Sequence, residues 1–353
     1  MTRTDEYDFK LPEHLIARHP LAHRRDSRLL SVHCSDKTTQ HLEFAEITSL
    51  FREGDLLVRN DTWVVPARIL AKKSTGGKVE GLWLSALGNG LAHFLISGSR
   101  LHSGTELFLE PSGERIRLVE KTAPGRWTVE KESELDWVPF LSQVGLTPLP
   151  PYIRGRRRQE GEEDESSEDR RRYQSVWAEN PGAVAAPTAS LHFDQSILEG
   201  LENRGVVCAS LTLHVGEGTF LPVETDVLEE HPIHDEWYEI PQETIKALHE
   251  TRANGGRIIS VGTTVCRALE SFGESGESVG QSQLFIVPGF SFRWVDALLT
   301  NFHTPRSTLL ALVSAFVEHR GAKPGLEFVK DIYEEAVQKS YRFFSYGDAS
   351  FWE

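Results

Sequence analysis

The chain has 353 residues with 38 Lys and Arg against 52 Asp and Glu, a formal net charge of −14, which argues against a charge-driven nucleic-acid coat protein but leaves room for a locally basic site. A hydrophobic content of 39% excludes a wholly disordered chain, and the length suggests two domains at about 150 residues each. No apolar run reaches the ~18–20 residues of a bilayer span, and the charged N-terminal stretch lacks the apolar segment of a secretory signal. In chain order, Pro12 sits where a short helix starts, with Leu15 and Ile16 on its buried side. Leu29, Leu30 and Val32 predict a strand. Apolar positions 42, 44, 47, 50 and 51 approach helical spacing up to Gly54. Residues 55–59 predict a short strand running into the turn-forming Asn60-Asp61-Thr62. From Gly76 to Gly125 nine glycines punctuate alternating stretches at 79–87, 91–97, 106–109, 115–120 and 127–131, the spacing of a small antiparallel β-barrel. We therefore expect an α/β fold: a mixed-sheet main domain of residues 1–69 and 136–353, interrupted by a barrel domain over 70–135.

Leu149-Pro150-Pro151-Tyr152 reads as irregular, because prolines lack the N–H donor. A charge block follows. Arg154, Arg156, Arg157 and Arg158 precede an acidic middle over 160–169, and Arg170, Arg171 and Arg172 close it. The middle reads as a mobile solvated loop and the flanks as phosphate contacts. From Gly182 onward helices are expected over 193–204 and 241–254, and strands over 206–215, 257–261 and 282–287.

Four polar clusters interrupt apolar sequence where strands end or helices begin, the places where α/β proteins bind ligands. The first, 182–193, combines small residues with Thr188, Ser190 and His192; its bland reading is a tight buried loop. The second is a strand ending in His214 and turning through Gly216 and Gly218 toward Thr219, a G-x-G that is weak evidence alone. The third runs from a strand through Gly262 into Thr263 and Thr264, which either cap a helix or hold an anion. The fourth carries Asn301, His303, Thr304 and Arg306 into a helix without a charged residue from 307 to 317, so that helix should be buried. Thr304 is expected to cap it, and an Arg at that depth wants a carboxylate or phosphate partner. His231, His234 and Glu236 have the residue types of a metal site, but their spacing is not that of a helical zinc motif. Cys34, Cys208 and Cys266 are too far apart for a metal or redox pair and point to a reducing cytoplasm.

Taken together, the clusters resemble the S-adenosylmethionine:tRNA ribosyltransferase-isomerase family of queuosine biosynthesis. The similar stretches include Tyr7-Asp-Phe-Lys-Leu-Pro12, Asn60-Asp61 with Pro66-Ala-Arg68, Pro148-Leu-Pro-Pro-Tyr-Ile153, Arg172-Tyr-Gln174, 182–193, 212–220, 231–238, 255–264, 300–316 and 341–349. Ser190, Glu217, Trp177, Ala311 and Arg25 depart from the family's usual residues. The resemblance implies an α/β domain with an inserted barrel. It implies S-adenosylmethionine as a ribosyl donor and co-substrate, with no prosthetic group. The acceptor is the aminomethyl nitrogen of 7-aminomethyl-7-deazaguanine at the tRNA wobble position; the products are epoxyqueuosine-tRNA, adenine and methionine. The absence of a C-x-x-x-C-x-x-C cluster and of an acidic Rossmann fingerprint agrees with chemistry that is neither radical nor ordinary methyl transfer.

On that reading His192, His214 and His303 are the acid–base candidates, with Asp61 or Glu236 orienting a histidine or facing the sulfonium. Thr188, Phe193, Gly216, Gly218, Thr219, Thr263, Thr264, Asn301 and Arg306 are expected around the donor, Phe193 as an adenine-stacking ring and Arg306 at the carboxylate. Arg154, Arg172, Tyr173, Arg342 and Tyr346 are expected on the tRNA anticodon loop. No metal, no membrane contact, a monomer and a cytoplasmic location complete the expectation. The rivals are a noncatalytic RNA- or nucleotide-binding module and a metal-dependent hydrolase built on His231, His234 and Glu236.

Overall fold

Apolar runs from the first and last thirds of the chain build one large sheet in a computed structural model, and the glycine-punctuated stretch builds a barrel. The structure describes all residues except Met1, Glu217, 219–222, Glu224 and 232–234. The chain opens with β1 (Arg28–His33), β2 (Thr38–Glu43), β3 (Leu56–Asn60) and the short β4 (Thr62–Val64). It then enters the barrel strands β5 (Arg68–Lys73), β6 (Lys78–Gly88), β7 (Leu91–Ser97), β8 (Glu106–Leu109), β9 (Arg115–Ala123) and β10 (Arg126–Lys131). Helices α1 (Trp137–Val144), α2 (Pro151–Gln159) and α3 (Asp169–Arg172) lead back to the main sheet through β11 (Asn180–Ala183). Then α4 (Gln195–Asn203), β12 (Val207–Leu213), β13 (Glu236–Glu239), α5 (Gln242–Ala253), β14 (Ile258–Val261), α6 (Thr263–Ser275) and β15 (Val279–Ser282) alternate. The chain ends with β16 (Ala297–Asn301), α7 (Thr308–His319), α8 (Gly325–Gln338) and β17 (Ala349–Trp352).

The main sheet runs β15-β13-β12-β3-β14-β16-β17-β1-β2. Its centre, β12-β3-β14-β16, is parallel, while β13 and β15, and β17 against β16, are antiparallel. The central strands are buried on both faces, as parallel strands covered by helices are. Alternation sorts their side chains: Leu56 and Val58 join one core, and Leu57 joins the other with Ile259, Leu299 and Phe351. The barrel closes as β10-β7-β6-β5-β8-β9 around its own core, which includes Phe94, Leu118, Trp127 and Val129. Because β3, β12, β14 and β16 are parallel, Asp61, His214, Gly262 and Phe302 all follow strands at one edge of the sheet. That edge is where the polar clusters converge.

Four local expectations are corrected. Residues 42–52 split into the end of β2 and a 3₁₀ segment, Phe44–Leu50. Pro151-Tyr152 are not irregular but open α2, because proline at the first helical position loses only an N–H that has no partner anyway. The strand expected at 282–287 lies earlier, as β15, paired with β13. The cap of α7 is Ser307, whose hydroxyl accepts from Leu310 N at 3.2 Å, and not Thr304.

The acidic middle of the charge block is also no free loop. Arg68 Nη2 bonds Asp164 Oδ2 at 2.8 Å, Arg158 pairs with the same carboxylate, and Thr147 N donates to Glu165 at 2.9 Å. Arg157 makes a bidentate pair with Asp169 at 2.5 and 3.0 Å, and both side chains are fully buried. Sequence alternation of sign cannot distinguish such pairs from solvated charge, since the partners are chosen by the tertiary fold.

Candidate active site

A cleft with about 770 Å³ of empty volume, partly open to solvent, lies at the edge where the parallel strands end. Its floor is the β14–α6 turn. Gly262 holds φ of +94°, a backbone state that disfavours any side chain, and it is followed directly by α6. No side chain caps α6, so its first N–H groups are left to solvent or ligand. Thr263 and Thr264 both line the cleft, and the buried Thr264 Oγ1 has no hydrogen-bond partner among the described residues.

Thr188, Asn301 and His303 line the same cleft. His303 Nε2 lies 2.9 Å from Thr300 Oγ1, and its backbone N donates to the Tyr333 hydroxyl at 3.1 Å. Burial alone lowers its pKa to about 3. His192 sits behind Asn301. Its Nδ1 is 2.9 Å from Ser27 Oγ, and burial lowers its pKa to about 4 although the Asn301 side chain favours the charged form. Neither His192 Nε2 nor Asn301 Oδ1 completes a hydrogen bond. Both imidazoles are therefore neutral at physiological pH.

His214 follows β12 on the same sheet edge but is not part of the cleft lining. Its Nδ1 is 2.8 Å from Thr62 Oγ1 and its ring stacks on Trp237 at 5.1 Å. Burial lowers its pKa, and Asp61 opposes that shift. Asp61 itself accepts from Thr212 Oγ1 at 2.7 Å. A Cβ on Gly182 would come within 2.5 Å of the His214 ring, so the glycine there is a packing requirement. Glu236 is committed elsewhere: it is buried in an ion pair with Arg267 and accepts weakly from Gly216 N at 3.4 Å. That pairing leaves little for the metal reading with His231, while His234 and Thr219 lie outside the described residues. Gly218 is described, but neither it nor Gly216 lines the cleft.

Several expected contacts are corrected. Phe193 is fully buried against Phe44 and Trp177 and cannot stack on a ligand. Arg306 is not at depth: it is exposed, holds φ of +54° ahead of α7, and lies outside the cleft lining. Arg154 bonds Glu80 at 2.6 Å, tying α2 to the barrel instead of presenting a free cation. Tyr173 and Tyr346 are buried ring against ring, and the Tyr346 hydroxyl donates to Asp169 at 2.8 Å. Arg172 and Arg342 are not withdrawn in this way: 7% exposed and half-buried, they donate to the backbone carbonyls of Ala22 and His19 respectively and form no side-chain ion pair among the described residues.

The cleft has an aromatic wall of which the sequence singled out only Tyr173, and that as a tRNA contact. Tyr152, Tyr173, Phe302 and Phe344 line it. The Tyr152 and Phe344 rings meet edge to face at 4.9 Å, and the Tyr152 hydroxyl donates to Ser345 Oγ at 2.5 Å while accepting from Ser345 N. Phe344 holds φ of +71°, an uncommon state for an aromatic residue, with Asn301 Nδ2 donating to its carbonyl at 3.0 Å. For Phe344 the signal in the sequence was the run of aromatics in 341–346, which reads equally well as core; Tyr152, Tyr173 and Phe302 stand singly in the similar stretches at 148–153, 172–174 and 300–316.

The sequence matches the family described as "Queuosine biosynthesis protein" over residues 4–352. It is 47% identical over 351 residues to the S-adenosylmethionine:tRNA ribosyltransferase-isomerase of Polynucleobacter asymbioticus, covering 98% of this chain and 96% of the relative. It is 43% identical over 347 residues to the protein of that name from Rubrobacter xylanophilus, with 98% and 96% covered. Among solved structures it is similar to the S-adenosylmethionine tRNA ribosyltransferase of Thermotoga maritima, at TM-score 0.56 and 34% identity, over 99% of this chain and 100% of the other. Near-complete coverage at this identity, on a mixed α/β fold with a closed barrel, places the chain in the queuosine biosynthesis protein family.

Proposed function

We propose that the cleft at the ends of the parallel strands is where S-adenosylmethionine meets the tRNA base. The family and its relatives make this chain a transferase-isomerase of tRNA queuosine biosynthesis. The observation that carries the site is the β14–α6 turn. An uncapped helix N-terminus and an unpartnered Thr264 hydroxyl face a cleft walled by aromatic rings. The helix end and the hydroxyl suit the donor's methionine carboxylate. Phe344, half-buried and beside Tyr152, replaces Phe193 as the ring available to a purine.

The donor carries a sulfonium charge, and a neutral His303 meets it without repulsion. As an imidazole lining the cleft, His303 is the group we assign to proton transfer with the ribose or departing adenine. His192 acts through Asn301, and is a positioning residue on this reading. His214, with Thr62 and Asp61, stands on the same edge for the acceptor amine. The chain divides between a discontinuous α/β unit that carries all these residues and the barrel, which carries none. No helix of the described residues is long and apolar enough to cross a membrane, and we read the enzyme as acting in the cytoplasm. Incubation with ribose-labelled S-adenosylmethionine and tRNA bearing the aminomethyl base tests the assignment. Label in the tRNA nucleoside, with adenine released in equal amount, is expected; label remaining in the donor sinks it.

A further inference from the structure

A second, smaller recess of about 270 Å³ lies beside the cleft and shares Ser345 with it. Arg24, Arg172, His192, Ser27 and Tyr346 are among its walls. Its charge is one-sided. Arg24 Nη1 and Nη2 donate to the carbonyls of Leu191, Arg171 and Gln174, and Arg172 Nη1 donates to that of Ala22. Neither guanidinium forms an ion pair among the described residues. Glu168 and Asp26 act on Arg172, and Asp194 on Arg24, only through longer-range charge. Arg342 stands outside the lining, yet its charge reaches His192. One polar atom here is buried without a partner, Arg172 Nε, on a side chain that is 7% exposed; His192 turns Nδ1 to Ser27 and its other nitrogen toward Asn301.

A chain of net charge −14 that leaves two guanidinium groups without a carboxylate around one recess does so at a cost, to which the buried Arg172 Nε, a donor without a partner, adds its lost hydration. The cost is recovered when an oxyanion fills the recess. We propose that the recess binds one backbone phosphate of the tRNA, the one adjoining the nucleotide whose base enters the cleft. This rests on the reading of the cleft given above. Phosphate is favoured over the donor's carboxylate because the reading of the cleft gives that carboxylate the α6 N-terminus, whose Thr263 and Thr264 line the cleft and not the recess. The shared Ser345 makes the two sites neighbours, which suits a base and an adjoining phosphate of one strand. A local cluster works in an acidic protein because screening confines charge effects to roughly 8–10 Å at physiological salt.

The test uses the full chain and tRNA assembled by ligation, with a neutral methylphosphonate at either phosphate flanking the wobble nucleotide. Wild-type protein should bind one of the two neutral tRNAs about tenfold more weakly than the charged one, the scale of a single charge-assisted hydrogen bond. Equal binding of all three tRNAs overturns the proposal without any variant. Arg172→Gln should abolish the discrimination between charged and neutral tRNA. It should also shallow the salt dependence of binding by about one phosphate's share, with S-adenosylmethionine affinity unchanged by calorimetry. Full discrimination retained by a folded Arg172→Gln protein, or an equal loss of donor affinity, also overturns it. Product formation by wild type with the charged tRNA is measured alongside. If that fails, the reading of the cleft fails; if it succeeds while the neutral linkage has no effect, only the phosphate recess is lost.

Discussion

His303 shows how burial sets chemistry at a single residue. Its folded pKa of about 3 lies below the ordinary 6.5, so between those values the unfolded chain holds a proton that the folded chain does not. Stability conferred by the neutral ring is therefore complete above pH 6.5 and lost as pH falls toward 3, at about 1.4 kcal/mol per pH unit for one proton. His192 behaves alike down to about 4. Buried acids such as Asp348, held above their usual range chiefly by desolvation, work in the opposite sense, so the comparison must be with a variant. Urea unfolding of His303→Gln at pH 7, 6 and 5 should show a pH slope shallower than wild type by about one proton. Equal slopes would show that His303 stays protonated in the fold. Thr264→Val tests the neighbouring donor: removing a hydroxyl that has no internal partner should barely change Tm. It should weaken S-adenosylmethionine binding roughly tenfold, the scale of one hydrogen bond to a charged group. Unchanged donor affinity by calorimetry would move the carboxylate away from α6.

At the scale of elements, α2, the acidic segment and α3 act as one clamp. The buried Arg157–Asp169 pair holds α3, and Asp169 also receives the Tyr346 hydroxyl behind the cleft wall. Breaking such a pair strands a buried charge and typically costs about 3–5 kcal/mol, whereas replacing both partners by apolar groups costs far less. Arg157→Met should thus lower stability strongly, and Arg157→Met with Asp169→Leu should recover part of the loss; denaturant titration of the three proteins decides. Excising residues 160–168 should lower Tm as well, because it removes Asp164 from Arg68, which is only 3% exposed. An unchanged Tm after excision would return the segment to the status of a free loop. The segment was misread from sequence because charges of alternating sign look alike whether solvated or paired, and pairing partners such as Arg68 and Thr147 are distant in the chain.

On the scale of the whole molecule, the barrel is joined by packing and by charge: Trp137, Phe140 and Leu141 of α1 share its core, Arg68 and Glu80 on its strands pair with Asp164 and Arg154 respectively, and Arg158 shares Asp164. Its remaining surface ion pairs, such as Arg117 with Glu130, are exposed and of little energetic weight. Arg117→Ala should leave both Tm and turnover at wild-type values; a hundredfold loss of the chemical rate with tRNA affinity intact would put a catalytic group on the barrel. What the sequence determined alone were features set by local pattern. Period-two alternation between glycines produced the barrel strands at 91–97 and 106–109, and the strand–glycine–helix pattern marked Gly262 and Thr263. The uncharged run after Ser307 marked the buried α7. The tertiary structure decided everything that depends on which distant residues meet. It withdrew Phe193 into the core and left Arg306 at the surface. It also turned Tyr152 and Phe344 into a cleft wall and gathered Arg24 and Arg172 around one recess. Periodicity reports which face of an element is apolar; it carries no information on whether that face meets another helix, a ligand or water, because burial is settled only when the elements pack.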